Sequence, residues 1–118
     1  MMKHRISTDL FLRIAVTRIG GEPEDFSTAC DITVTVWHMF HPWKREENFT
    51  IQGGEVSLQF AASDQEKTGR YGVTVIYSKP DENSETRIRK FAVDIPNAFE
   101  LVPISQPCSC SNQVDLCG

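Results

Sequence analysis

The sequence predicts an all-β fold, a sandwich of about seven short antiparallel strands in a single domain. Apolar and polar residues alternate along most of the chain, and a period of two places successive side chains on opposite faces of a strand. Gly, Pro, Asp and Asn cluster between these segments, where they favour turns. No long segment has the apolar period of a helix, so short strands at near-regular spacing account for the chain.

Two strands are predicted in the first third of the chain, at residues 9–17 and 31–37. In both segments every second side chain is apolar, while the opposite face carries arginine or threonine. The second segment has the more regular alternation. The side chains expected to face the core are Leu10, Leu12, Ile14, Val16, Ile32, Val34 and Val36.

A β-hairpin is predicted around Gly53-Gly54, because two glycines readily adopt the positive φ angles of a tight turn. Phe49 and Ile51 share one face of the strand before this turn. The strand after it covers residues 56–60, where Val, Leu and Phe alternate with Ser and Gln. The polar stretch 63–68 predicts a turn or one short helical turn.

The remaining strands are predicted in the last third of the chain. Residues 71–77 alternate regularly, and Pro, Asp and Asn in the next few residues indicate a hairpin loop. Apolar side chains at 91–95 share a face, but Ile88 is out of phase with them, which predicts a bulge near Arg89. A turn at Pro96-Asn97 is expected before a final strand that begins at Phe99.

A short segment before the strand 71–77 favours the immunoglobulin-like variety of β-sandwich. Residues 68–73 read Thr-Gly-Arg-Tyr-Gly-Val. They resemble the corner in which a tyrosine hydroxyl ties a loop to the sheet, so Gly69 and Tyr71 are predicted to be structural. Val73 stands where antibody-type domains have a disulfide cysteine, so that disulfide is not expected.

Composition and charge exclude some classes of partner. The formal net charge is −4, whereas proteins that bind nucleic acid usually present a basic face to the phosphates. Arg87, Arg89 and Lys90 lie close together and are interpreted as a solvated strand face or a charged edge that discourages aggregation. No segment approaches the ~18 apolar residues of a membrane span. Neither nucleic acid nor a membrane is therefore expected as a partner.

The domain is predicted to span residues 8–104, followed by a flexible tail at 105–118. Cys108, Cys110 and Cys117 lie in this tail. Structural zinc usually requires Cys-x-x-Cys pairs or added histidines, and the Cys-Ser-Cys spacing is tighter. Reduced thiols are the favoured reading, with disulfides and a metal site as alternatives. No metal and no cofactor is predicted.

An aromatic segment at residues 37–43 is the predicted interaction surface, formed by Trp37, Phe40 and Trp43. Exposed tryptophans anchor protein interfaces or stack on sugars, while a loop that simply folds over the sheet is the structural alternative. Trp43→Ala is expected to leave the fold intact and to weaken binding of a partner. His38 and His41 are three residues apart, so on a strand they would point to opposite faces.

No catalytic residues are predicted. Nucleophilic catalysis needs a Ser or Cys beside a base that a third group orients, and the three histidines are scattered. Carboxylate pairs such as Glu22 and Glu24 lie in predicted loops, where solvent would leave their ionisation ordinary. The sequence therefore favours a protein that is not an enzyme.

Several blocks of sequence resemble a known group of domains. They are residues 9–18, 31–34, 48–53 and 64–72. Together they resemble the immunoglobulin-like N-terminal modules of phage and prophage tail, baseplate and receptor-binding-fibre proteins from gut bacteria. The resemblance covers roughly residues 8 to 104 and implies a role in virion assembly. In such proteins a fibre follows the module, whereas here only the short tail follows.

The sequence thus supports two functional hypotheses. The first is a non-enzymatic structural or interaction module, a phage or prophage component that docks with other virion proteins or with itself. Such a chain is expected in the virion, or in the bacterial cytoplasm before assembly. The second hypothesis is a carbohydrate-binding module, in which the exposed tryptophans bind a glycan.

Overall fold

The computed structural model describes residues 1–18, 20–83 and 85–103, which form an all-β fold of two sheets. The predicted tail at 105–118, including Cys108, Cys110 and Cys117, lies outside the described residues. Within the described ranges, no helix is long and apolar enough to cross a membrane. The strands are β1 Met2–Arg5, β2 Leu10–Ala15, β3 Cys30–His38, β4 Lys44–Glu46, β5 Phe49–Gln52, β6 Glu55–Phe60, β7 Gly69–Pro80 and β8 Ile88–Val102.

The two sheets have the strand orders β1-β8-β7-β3-β4 and β2-β6-β5. All neighbouring strands are antiparallel except β1 and β8, which run parallel with Met2 opposite Phe99. The sequence predicted about seven antiparallel strands, and it did not predict β1 and β4. Both β1 and β4 are short and largely polar, so alternation could not reveal them. Strand β1 also precedes the predicted domain start at residue 8.

The core lies between the sheets and follows the predicted alternation. Along β2, for example, buried and exposed side chains alternate at every position. Three aromatic rings fill the centre: Tyr71 stacks on Phe99 with 5.1 Å between ring centroids, and the Phe60 ring lies 5.9 Å from that of Tyr71. The other core residues are Leu10, Leu12, Ile14, Val16, Phe26, Val34, Val36, Val56, Leu58, Val73, Val75, Tyr77 and Leu101.

Strand β8 differs from the prediction for the last two strands. Residues 88–102 form one continuous strand rather than two strands joined by a turn. The register with β7 is regular at Arg89, so the bulge predicted there is absent; it lies instead between Ile95 and Phe99. Pro96 has no N–H to donate to the ladder, and Asn97 has φ of 55°, a conformation that asparagine tolerates. The predicted turn residues therefore form a bulge inside a strand.

Candidate functional site

A pocket of about 540 Å³ opens between the far end of the β7–β8 hairpin and the connection from β2 to β3. The connection is held by a bridge between Thr17 and Pro23. It is anchored to the hairpin by Phe26, whose ring meets that of Tyr77 edge-on with 5.0 Å between centroids. The pocket is lined by Thr17, Arg18, Glu24, Tyr77, Lys79, Pro80, Asp81, Arg89, Phe91, Ala92 and Val93.

Glu24 is the buried polar centre of this pocket, with only 5% of its surface exposed. Its Oε2 accepts a hydrogen bond of 2.7 Å from the Tyr77 hydroxyl. Its Oε1 accepts bonds of 2.8 Å from the Lys79 ammonium and from the backbone N–H of Asp25. The expectation that solvent surrounds this carboxylate was therefore wrong, because the connection folds Glu24 onto the inner face of β7.

The ionisation of the cluster follows from these contacts. Burial by itself would raise the pKa of the Glu24 carboxyl, but the hydrogen bonds from Lys79, Tyr77 and Asp25 outweigh it and hold the pKa below the ordinary value. Burial and the neighbouring carboxylate raise the pKa of the Tyr77 hydroxyl. Near neutral pH Glu24 is thus a carboxylate and Tyr77 a neutral phenol.

One wall of the pocket is aromatic. The rings of Tyr77 and Phe91 stack with 5.1 Å between centroids and 15° between planes. The Arg89 guanidinium lies 5.5 Å above the Phe91 ring, a cation–π distance. Phe91 and Val93 are on the core-facing side of β8 yet only half-buried, whereas Phe99 further along is fully buried. The apolar surface of this part of β8 is therefore open to a ligand.

Charged groups surround the mouth of the pocket. Arg18 forms a 2.9 Å ion pair with Glu22, and Arg89 lies 3.8 Å from Asp81. The Arg18–Glu22 pair is solvent-exposed, and in the second pair Arg89 is exposed while Asp81 is partly buried. Each pair therefore contributes little stability, and the exposed arginine side chains can exchange partners. An apolar wall with a few convergent polar groups and a charged rim is typical of a binding site for a small molecule or a side chain of another protein.

The structure separates the three predicted interaction residues. Trp43 turns inward, where its ring lies 5.6 Å from Tyr71 and 5.8 Å from Phe60. Trp37 lies on the opposite face of the same sheet, and Phe40 is 71% exposed in the loop between them. These side chains do not form one continuous surface. Trp43 instead takes the structural role of a loop residue packed over the core.

Trp37 occupies a shallow pocket of about 510 Å³ on the outer face of the five-stranded sheet. Its indole N–H donates a 3.0 Å hydrogen bond to Thr74 Oγ1, which in turn donates to Asp94 Oδ1 at 2.6 Å. The ring lies over Gly72, where an added Cβ would come within 2.4 Å of it. The remaining lining residues are Thr35, Lys44 and Pro96.

The predicted tyrosine corner has a specific geometry. The buried Tyr71 hydroxyl donates a 2.5 Å hydrogen bond to the carbonyl of Lys67, four residues earlier, the kind of bond expected of that motif. Gly69 has φ of 120°, and a Cβ there would meet Nε2 of His38 at 2.7 Å. Gly69 is thus required both for its backbone conformation and for the space beside it.

Neither ring nitrogen of His38 is free for a ligand. Nδ1 accepts the N–H of Phe40 at 3.0 Å, so Nε2 carries the proton that bonds the carbonyl of Thr68 at 2.9 Å. The rings of His38 and His41 lie 4.7 Å apart, not on opposite faces as a continuous strand would place them, because β3 ends at His38. In the described part of the chain, no group of three potential ligands could hold a metal ion.

The Glu24 pocket was not predicted from the sequence. Lys79 lies in β7 rather than in the hairpin loop expected after residue 77, and it has the same parity as the inward-facing Tyr77. A cation on the inner face of a strand requires a partner, and that signal could have led to a search for a carboxylate. Nothing in the sequence singles out Glu24 for this role.

Comparison of the chain with protein-family models, with curated proteins and with solved structures found no match.

Proposed function

We propose that this chain is a non-enzymatic binding module with an immunoglobulin-like sandwich of the variable type. The order β8-β7-β3-β4 corresponds to strands G, F, C and C′ of such domains, and β2-β6-β5 corresponds to B, E and D. The parallel strand β1 then occupies the edge beside G. The Tyr71 bond to Lys67 lies where the tyrosine corner of strand F would be.

The observation that carries the binding proposal is the position of the Glu24 pocket. On this correspondence the β2–β3 connection is the B–C loop, and the β7–β8 connection is the F–G loop. Variable domains place these two loops together at the end that binds antigen. The pocket lies between them and combines the stacked rings of Tyr77 and Phe91 with the buried Glu24–Lys79 pair.

A protein partner fits this site best. Its half-buried aromatic wall and exposed arginines match the aromatic, arginine-rich composition of protein interfaces. The resemblance of the sequence to phage and prophage tail modules supplies the context, in which the pocket holds a segment of another virion protein. The fold then serves as a scaffold for two loops.

The experiment is site-specific photo-crosslinking in phage particles induced from the source bacterium. A photoreactive amino acid replaces Arg89, at the rim of the pocket, and in a control it replaces Arg13, an exposed residue of β2 on the other sheet. We expect this chain in purified particles, with a cross-link to one defined virion protein from position 89 but not from position 13. Absence from particles would contradict the phage context, and equal cross-linking would contradict the site.

The alternative function, carbohydrate binding, is supported by the Trp37 pocket alone. An indole ring with Thr35, Asp94 and Lys44 around it offers a stacking surface and hydrogen-bonding groups for a sugar. Glycan-array binding followed by titration calorimetry tests this function. Loss of binding in Trp37→Ala with retention in Phe40→Ala would support it, and no binding by the wild-type chain would reject it.

A further inference from the structure

The outer edge of β8 is open over much of its length. On one side β8 pairs with β7 on both sides of the bulge, at residues 88–95 and 99–101, whereas on the other side β1 covers only residues 99–102. Within the described ranges, residues 89–95 have no strand on that side. An exposed edge of this length is a template for pairing with another chain.

The direction of the backbone groups along this edge follows from the hairpin. The N–H of Asp81 donates to the carbonyl of Arg87 at 2.9 Å, and antiparallel pairs exchange hydrogen bonds at every second residue. With the register regular from Ile88 to Ile95, odd-numbered residues bond to β7. Lys90, Ala92 and Asp94 therefore direct their N–H and C=O groups away from the sheet.

The side chains along this edge are self-complementary. Lys90 and Asp94 lie on the same outer face, two residues either side of Ala92. Asp94 is held in place by the 2.6 Å hydrogen bond from Thr74, and Lys90 has no ion pair to any described residue. A charge of each sign, placed symmetrically about one alanine, matches an antiparallel copy of the same strand.

We propose that β8 pairs with β8 of a second copy of this chain, antiparallel, with the twofold axis at Ala92. Lys90 then lies opposite Asp94 of the other copy, twice per dimer, and all outward N–H and C=O groups of residues 90–94 are paired. Registers centred on Lys90 or Asp94 would place like charges opposite each other, which is destabilising. The five-stranded sheets of the two copies become one continuous sheet.

The core-facing side chains of β8 also favour pairing with a second copy of the chain. In this register Phe91 lies opposite Val93 of the other copy, and both are half-buried in one copy alone. Cross-strand pairs of aromatic and β-branched residues stabilise a sheet. Pro96, which has no N–H, and the bulge at Asn97 end the paired segment before β1 begins. Phe91, Ala92 and Val93 also line the Glu24 pocket, but Lys90 and Asp94, whose charges set the register, do not, so the charge variants test the dimer separately from the proposed function.

The test is sedimentation-velocity ultracentrifugation of the full chain over a range of concentrations, in a reducing buffer that excludes disulfide-linked species. We expect a reversible dimer. Lys90→Asp and Asp94→Lys should each raise the dimer dissociation constant by roughly tenfold or more, because each places like charges opposite each other twice. An equimolar mixture of the two variants should restore the dimer, since their strands are complementary only to each other.

Two further variants complete the test. Lys67→Asp reverses an exposed charge away from the edge and should leave the dimer unchanged. Ala92→Pro removes an outward N–H at the twofold axis without removing a bond to β7, and should abolish the dimer. Circular dichroism and thermal melting establish that each variant is folded. A monomeric wild-type chain, or a dimer that survives Lys90→Asp and Asp94→Lys, would overturn the proposal, as would a mixture that stays monomeric.

Discussion

At the scale of single residues, Glu24 dominates the candidate site. Its carboxylate is removed from solvent, but it accepts three hydrogen bonds, from an ammonium, a phenol and a backbone N–H. A buried carboxylate is tolerated only with such partners. The same bonds fix Lys79 and Tyr77 in the pocket. Glu24 therefore positions the polar groups of the pocket and also joins the β2–β3 connection to the β7–β8 hairpin.

Removing the cation should destabilise the domain. In Lys79→Met, Glu24 loses its ammonium partner while remaining buried, and we expect a loss of about 1–3 kcal/mol in the free energy of unfolding. Urea denaturation measures this loss. The matched control is Arg13→Met, which breaks the exposed ion pair with Glu55 and should cost less than about 0.5 kcal/mol. Equal losses in both variants would show that the Glu24 pair has no special role.

The same carboxylate makes stability depend on pH. The pKa of Glu24 is lower in the folded chain than its ordinary value of 4.5, so the ionised group stabilises the fold above that value. This contribution is lost as the pH falls through the folded pKa. The difference in unfolding free energy between wild type and Glu24→Gln should therefore be full near pH 7 and shrink below about pH 4.5. Exposed Glu82→Gln is the control, and an unchanged difference at low pH would contradict the assignment.

Trp43 also acts at the residue scale, through packing. Because its ring contacts Phe60 and Tyr71 over the core, Trp43→Ala should lower the free energy of unfolding by about 2–3 kcal/mol, below the full cost of a buried tryptophan. This reverses the sequence-based expectation that the substitution leaves the fold intact. Thermal melting measures the change. Phe40→Ala, at the exposed loop position, should change stability by less than about 0.5 kcal/mol; similar losses in both would contradict the packing role.

At the scale of elements, β8 contributes to both the Glu24 pocket and the open sheet edge. Its core-facing residues form the wall of the pocket at one end and part of the central aromatic cluster at the other. The bulge between Ile95 and Phe99 separates these two regions and ends the open edge before β1. The bulge therefore divides β8 into a buried segment around Phe99 and a half-buried segment at residues 89–95 whose outer edge pairs with no other described strand.

The bulge requires a residue that accepts positive φ at position 97. Asn97 has φ of 55°, where a β-branched side chain clashes with its own backbone, so Asn97→Val should destabilise the domain by about 1–3 kcal/mol. Asn97→Gly should be neutral within about 0.5 kcal/mol, because glycine adopts this conformation freely. Urea denaturation compares the two. A tolerated valine would show that the bulge relaxes into a regular strand.

At the scale of the whole molecule, the two proposed binding surfaces meet at β8. The Glu24 pocket opens between two connections at one end, while the open edge of β8 runs beside it. In the proposed dimer the two edges join, and each pocket keeps its own Glu24, Tyr77 and Lys79. The module would then present two equivalent sites to a virion or another partner, and two linked sites raise the effective affinity for a multivalent target.

The alternation of apolar residues was enough to predict the all-β class and the core-facing side chains of β2 and β3, and the glycine pair Gly53-Gly54 predicted the hairpin between β5 and β6. Alternation works there because those strands bury one face against the other sheet. The strands β1 and β4 could not be predicted, since backbone pairing alone defines them. A turn was predicted at Pro96-Asn97 where the chain forms a bulge, because the same Pro and Asn residues suit both structures.

The sequence by itself determined the fold class and the polarity of most strands, because burial of one face leaves a periodic record in the chain. Only the tertiary structure decided the site. Glu24 and Lys79 are 55 positions apart and meet solely because a loop folds onto the hairpin. Trp37 and Trp43 are close in sequence, yet Trp37 lies on the outer face of the five-stranded sheet while the loop residue Trp43 packs over the core. Contacts between distant residues depend on how the strands are ordered, and local patterns carry no record of that order.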